Sequence, residues 1–488
     1  MWWLRTTFLV LVAACCSVHA APYEAHLAWD GYARSGGVTE LLVVPNSTTS
    51  PTLDLRVFGA TPPIRIALSN AHGGALPIAV PLHIKDASQP LRISEGPQFL
   101  VADEHTLALR MMPPERFLAA IAMGDPDPFL DTNFGNDDVT VINMNARRLP
   151  RVGLAYLALN GLAIDEAGVS QLLPIQVNAL ESYLARCGSL AAYHLSAPVL
   201  ASLRQVAGCG GRGIHVVEDS GQLHAWINSL ENARSLVPVP LEGKAEPPAA
   251  TVEPAQSQLI LAFFFIFALI TAIFYRRLIG IIIVSGSATA MMLFNWGNES
   301  YSGSLLSVVQ SASGASQGTL SGTMNVTGLY RGHVEIGFPA NSALTNTTGD
   351  STTELRTSDG RANVVVLAST ALNSESRISF VVDVPTPNLP VLFFEGTRPS
   401  VHNSRSTALR NAVMLINGKA YAVPELAPAQ QWIWSETTAI AQGPTWLSQR
   451  LATNEVGLAM PYDPDVLRPL NLKSGATGWS LVTAPRGI

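Results

Sequence analysis

The stretch LPIQVNALESYLARCG, residues 173–188, decides how the middle of the chain is read. Ile175, Ala179, Tyr183 and Cys187 recur every four residues, with Leu180 and Leu184 beside them. That spacing is one apolar helix face. Pro174 opens the helix and Gly188 closes it, the usual asymmetry of helix ends. Apolar runs of strand length lie around it: RFLAAIAMG (116–124), DVTVIN (138–143), LAYLALN (154–160), SLAAYHL (189–195) and GIHVVED (213–219). APVLASLRQVAG (197–208) and GQLHAWINSLENAR (221–234) read as further helices. Apolar strands alternating with helices predict a Rossmann-like α/β domain over residues 116–235, its parallel sheet covered on both faces.

The flanks read differently. In residues 21–115, VTELLVV, TLDLRVF, PIRIAL and ALPIAVPLHI are short β-prone runs separated by Pro, Gly, Asn and Ser. Short strands at that spacing predict a β-sandwich. Residues 297–488 carry alternating stretches such as GTMNVTGLY, GHVEIGF, ANVVVLA and SRISFVVDV. They predict a second β-rich domain, with a tight turn at Asn417-Gly418. Residues 236–256, rich in Pro, Ala and Glu, read as an extended linker.

Between linker and C-terminal domain lies an apolar run, Leu259 to Trp296, interrupted only by Arg276 and Arg277. It is nearly twice as long as the roughly 20 residues a membrane-spanning helix needs. Charges at mid-bilayer are costly, whereas arginines at a cytoplasmic turn set orientation. The run therefore predicts a transmembrane helical hairpin over residues 257–296, turning at Arg276-Arg277, with both soluble regions on the exported side. The rival is a single span over Leu259–Tyr275 that leaves the rest of the chain cytoplasmic.

The first twenty residues, MWWLRTTFLVLVAACCSVHA, read as a signal peptide cleaved before Ala21. Val12-Ala13-Ala14-Cys15 keeps a lipoprotein signal open as an alternative. Either implies export. The expected location is a bacterial inner membrane, with the soluble regions in the periplasm. Of four cysteines, Cys187 and Cys209 remain in the mature chain, and export predicts a disulfide between them. The chain of 488 residues is 48% hydrophobic and 14% charged, with net charge −6. Nucleic-acid binding wants a dense basic face, and the acidic balance excludes it.

LAYLALNGLAIDEAGVSQLLPIQVNALESYLARCGSLAAYHL (154–195) resembles a pattern in bacterial envelope proteins of unassigned role. There a strand is followed by L-x-P-x-Q, a helix ending in Gly-Gly-Leu, and another strand. The resemblance implies a degenerate class I glutamine-amidotransferase-like, flavodoxin-like domain between an N-terminal β domain and membrane helices. This chain departs from the pattern by placing Cys187 where the first glycine is usual. No cysteine elbow with a histidine partner is found, so the resemblance implies a fold and not an activity.

Candidate sites are few. Asp125, Asp127, Asn143, Asn145, Asn160 and Asp219 follow predicted strands, and open parallel sheets bind ligands at strand carboxyl ends. Oxygen ligands at Asp125, Asp127, Asn143 and Asp219 could hold Ca²⁺ or Mg²⁺. Asp and Asn are equally common as turn and cap residues there. Gly314-Ala315-Ser316-Gln317-Gly318 matches G-x-S-x-G inside a Ser/Gly-rich stretch that lacks the strand and helix a nucleophile elbow needs. His194 and His215 read as structural. Arg147, Arg148 and Arg151 form a small basic cluster. No catalytic residue, cofactor or metal motif is recognised.

The expectation is therefore a non-enzymatic, membrane-anchored binding or scaffold subunit of a cell-envelope assembly, with envelope proteins as partners. The alternative is an envelope enzyme acting on a surface glycan or peptide through the acidic strand ends. A signal-passing sensor is disfavoured, because the predicted cytoplasmic part is only a turn.

Overall fold

Five parallel strands run through the middle of the chain: β1 (Phe117–Met123), β2 (Val139–Asn145), β3 (Gly161–Asp165), β4 (Leu190–Tyr193) and β5 (Ile214–Val217). They pair in the order β2-β1-β3-β4-β5, a doubly wound order. The helices are α1 (Glu166–Ser170), α2 (Pro174–Ala185), α3 (Ala197–Val206) and α4 (Ser220–Ser229). Alternate strand residues point to opposite faces. Ala119, Ile121, Ala163 and Ala191 pack with Leu223, Trp226 and Ile227 of α4. Leu118, Ala120, Leu162 and Leu190 pack with Ala179, Leu180 and Tyr183 of α2 and Leu203 of α3. Alanines along the strand centres leave room for the helices to sit close on both sides.

This computed structural model describes residues 23–45, 52–58, 64–69, 77–84, 90–95, 105–113, 116–124, 138–230, 286, 300–329, 332–339, 341–349, 352–358, 362–369, 374–386, 388–441, 445–451, 455–462 and 476–485.

LAYLALN is not the strand its apolar run predicts. Gly153–Ala158 is a 3₁₀ helix buried along its whole length, and the strand comes after it at Gly161–Asp165. The reason lies in where its backbone groups find partners. Trp29 Nε1 donates to the Ala155 carbonyl at 2.9 Å, and Arg34 Nε to that of Ala158 at 2.9 Å. Arg186 Nη1 donates to the Gly153 carbonyl at 3.3 Å. Side chains from distant parts of the chain satisfy this segment, so it needs no sheet ladder.

The expectation of an N-terminal β-sandwich separate from a C-terminal β-rich domain is corrected. A seven-stranded sheet runs Gly332–Phe338, Ala362–Ser369, Thr352–Ser358, Ile64–Ser69, Thr52–Phe58, Leu91–Glu95, His105–Leu107. Its two halves join where Leu355 lies opposite Ile64 in parallel pairing. An eight-stranded sheet is built wholly from later residues, with Ser300–Ala312 and Gln317–Leu329 near its centre. One core takes Leu41, Val80 and Ile93 from the first region and Leu320, Met324 and Phe380 from the second. The chain is thus mostly β, and its flanking regions close into one body around the α/β unit. The single-span alternative, which sends residues 297–488 to the opposite side of a membrane, is excluded by that shared sheet.

The membrane expectation is corrected as well. Among the described residues no helix is long and apolar enough to cross a membrane. A transmembrane hairpin as part of the fold, two spanning helices as the membrane partner, and placement in the inner membrane are therefore not supported. Residues 257–296, including Arg276 and Arg277, lie outside the described residues apart from Gly286, as do residues 1–20 and 236–256, where a signal peptide and a linker are expected.

Candidate functional site

The strand-end residues divide between structural work and positions that are not described. Asp125 and Asp127 lie outside the described residues. Asn143 sits within β2, half-buried. Asn145 accepts from the Arg147 amide at 2.9 Å and caps a short 3₁₀ turn. Asn160 Oδ1 is buried, accepting from the Leu118 amide at 3.0 Å and from Arg34 Nη2. Asp219 caps α4 through the Gln222 amide at 2.7 Å. Among the described residues, no group of three or more His, Cys, Asp or Glu could hold a metal ion.

Asp165, not singled out from sequence, ends β3 at the position where the strand order reverses, the usual ligand crevice of such sheets. Its Oδ1 accepts from the Gly124 amide at 2.9 Å and the Gly168 amide at 2.6 Å. A Cβ on Gly124 would stand 2.4 Å from that of Ala167. Helix α1 therefore packs directly over the end of β1. His194 and His215 are exposed; His194 sits edge-on to Tyr193, ring centroids 4.3 Å apart.

The G-x-S-x-G stretch is a turn between the antiparallel strands Ser300–Ala312 and Gln317–Leu329. It docks the eight-stranded sheet onto the α/β unit. The Cys209 amide donates to Gly314 O at 2.8 Å, and the Ser316 amide to Ala185 O at 3.0 Å. The Ser182 hydroxyl donates to Gln317 Oε1 at 2.6 Å. Beside it Cys187 and Cys209 form a disulfide, Cα atoms 5.6 Å apart. Cys187 has φ 68°, a conformation that favours glycine. Nearby, buried Arg186 forms an ion pair with Asp383, whose side chain is 10% exposed. Burial raises the Asp383 carboxyl against the pull of Arg186.

From the N-terminal region, two buried charges grip the α/β backbone, and Glu40 meets Val152 next to Gly153, which Arg186 holds. Arg34 Nη2 donates to the Arg116 carbonyl at 2.9 Å, in addition to its bonds to Ala158 and Asn160. Burial lowers its pKa. Glu40 Oε2 accepts from the Arg151 amide at 2.6 Å and the Val152 amide at 2.7 Å. Burial pushes its carboxyl up to about 7, against the pull of those amides and the Arg151 charge. The one sequence signal for Glu40 is an acid inside the apolar run VTELLVV; its strand is buried on both faces near its start.

The same seam holds a cavity of about 350 Å³ lined by Ala25, His26, Leu27, Asp30, Gly31, Leu107, Ala108, Arg110 and Arg148. Its wall is a left-handed turn, with φ of 54°, 48° and 84° at Trp29, Asp30 and Gly31. A bulky residue rarely adopts that conformation, and such turns persist only where the surroundings impose them. Trp29 is fully buried, bonded to Ala155 and edge-on to Tyr156, ring centroids 5.2 Å apart. A Cβ on Gly31 would stand 2.3 Å from the Ala108 carbonyl oxygen, so only glycine fits. Arg148 pairs with Asp30 at 3.0 Å. Arg110 lies opposite Tyr32 in a parallel pair, its guanidinium 5.1 Å from the ring centroid and 3.3 Å from the hydroxyl. Of the cavity residues only Arg148 stands out in the sequence, in its small basic cluster; the rest meet because distant segments converge.

No family model matches the chain, and no curated protein matches its sequence.

Proposed function

We propose that the chain is a non-catalytic binding and scaffold subunit of a cell-envelope assembly, working in an oxidising compartment. The observation that carries this reading is the fate of the strand-end groups. Asn145, Asn160, Asp165 and Asp219 each accept backbone amides, and α1 packs over the crevice where a doubly wound sheet would take its ligand. Groups committed to capping are poor acids, bases or metal ligands. The strand order supports reading residues 116–235 as a degenerate amidotransferase-like unit kept for its shape and surface. The disulfide supports the compartment, since reducing cytosol disfavours such bridges.

The test is in-cell crosslinking of the full-length chain carrying a C-terminal tag, followed by mass spectrometry. A reproducible set of envelope proteins is expected. Recovery of the tagged chain alone, under conditions that capture a known envelope complex, overturns the reading.

A further inference from the structure

We propose that the seam cavity binds a carboxylate whose neighbouring carbon carries an N–H donor: the C-terminal residue of a peptide, or a free amino acid. Four features argue for it. Arg110 offers a planar fork of donors already oriented by Tyr32, and among the described residues that ring and hydroxyl are its partners. Asp30 is fixed by the left-handed turn and faces the same cavity, so it can accept from an N–H beside the bound carboxylate. Its bond to Arg148 is solvent-accessible, the two side chains being 54% and 34% exposed, and exposed pairs of this kind are exchanged at little cost. Leu27, Leu107, Ala25 and Ala108 line the rest of a mainly polar wall. A volume of about 350 Å³ lies at the small end of ligand pockets and suits one or two residues rather than a folded domain.

The site is distinct from the scaffold reading, which concerns protein partners and fails or stands on crosslinking alone. The experiment here is calorimetric titration of the full-length chain with trialanine, trialanine amide and alanine, at low salt. Trialanine is expected to bind, and its amide roughly tenfold or more weakly, because the charged hydrogen bonds to Arg110 are lost. Alanine binding as well as trialanine assigns the site to free amino acids; alanine binding more weakly assigns it to peptide ends. Either supports the proposal. Equal binding of acid and amide, or no binding of any probe, overturns it. Arg110→Gln is expected to lose affinity by roughly tenfold or more. Asp30→Asn is expected to weaken trialanine while keeping the fold, since asparagine tolerates positive φ. Unchanged affinity in folded Arg110→Gln or Asp30→Asn overturns it. The acid–amide comparison on the unaltered chain decides the matter if either variant fails to fold.

Discussion

The α/β unit is gripped by two flanking β regions whose contacts meet at Val152 and Gly153, and the two seams use different chemistry. Toward the N-terminal β region, Arg34 and Glu40 are buried charges satisfied chiefly by backbone groups of the α/β unit. Toward the C-terminal β region, a charge meets a charge in Arg186–Asp383, and a disulfide anchors the docking turn. The difference matters because a buried ion pair broken on one side leaves an uncompensated charge. A carboxylate held by amides keeps its acceptor geometry when it is exchanged for a neutral amide. The C-terminal seam should therefore be brittle to substitution, and the N-terminal seam sensitive to pH.

The largest effect is expected at Asp383. Asp383→Ala should cost about 3–5 kcal/mol by denaturant titration, because it strands the Arg186 guanidinium. Replacing both partners with apolar residues should recover much of that loss. A double variant no more stable than Asp383→Ala would break the argument that the stranded charge dominates.

The N-terminal seam is tested by pH. Glu40 titrates near 4.5 in the unfolded chain and near 7 in the folded one. The folded state thus holds a proton that the unfolded state has released between those values. The associated stability is full below pH 4.5 and is lost as pH rises through about 7, on the order of 3 kcal/mol. Asp383 shifts in the same direction, so the difference between the unaltered chain and Glu40→Gln isolates the contribution. Urea midpoints from pH 4 to 8 should fall more steeply for the unaltered chain than for the variant.

Removing the disulfide, which joins residues 22 apart, should cost about 3 kcal/mol. The sharper comparison is between two ways of removing it. Cys187→Gly with Cys209→Ser should be more stable than Cys187→Ser with Cys209→Ser, by up to about 1 kcal/mol, because glycine adopts φ 68° freely. Equal thermal midpoints would show that the backbone at 187 relaxes once the bridge is gone. The smallest effect lies far from either seam. Gly418→Ala should cost roughly 1 kcal/mol, since Gly418 has φ 76° in the turn joining Val413–Ile416 to Lys419–Ala422.

Local patterns were read well where one segment made its own structure. The helix at Pro174–Ala185 opens on the proline the sequence marks, but the left-handed residue past its end is Cys187 rather than Gly188, and Ile175 of the expected apolar face is exposed; the Asn417-Gly418 turn, with positive φ at both residues, is a two-residue hairpin signal. LAYLALN misled because an apolar run of that length states only that it is buried; Trp29, Arg34 and Arg186, far away in sequence, decide that it is a 3₁₀ helix. The candidate site was less legible still. Asp30 and Arg110 are ordinary surface residues in the sequence, and the left-handed turn at Trp29 leaves no compositional mark.

By itself the sequence determined what depends on neighbours a few residues apart: the helix periodicity, the alternation of strands and helices in residues 116–235, and the cysteine pair available for a bridge. Tertiary structure alone decided which strands share a sheet. Leu355 pairs beside Ile64, and Arg34 and Glu40 clamp a segment more than a hundred residues away. The physical reason is that strand edges carry the same backbone donors and acceptors whatever their sequence. Partner choice is then set by the shape of the whole core and by the burial of side chains that local pattern does not pair.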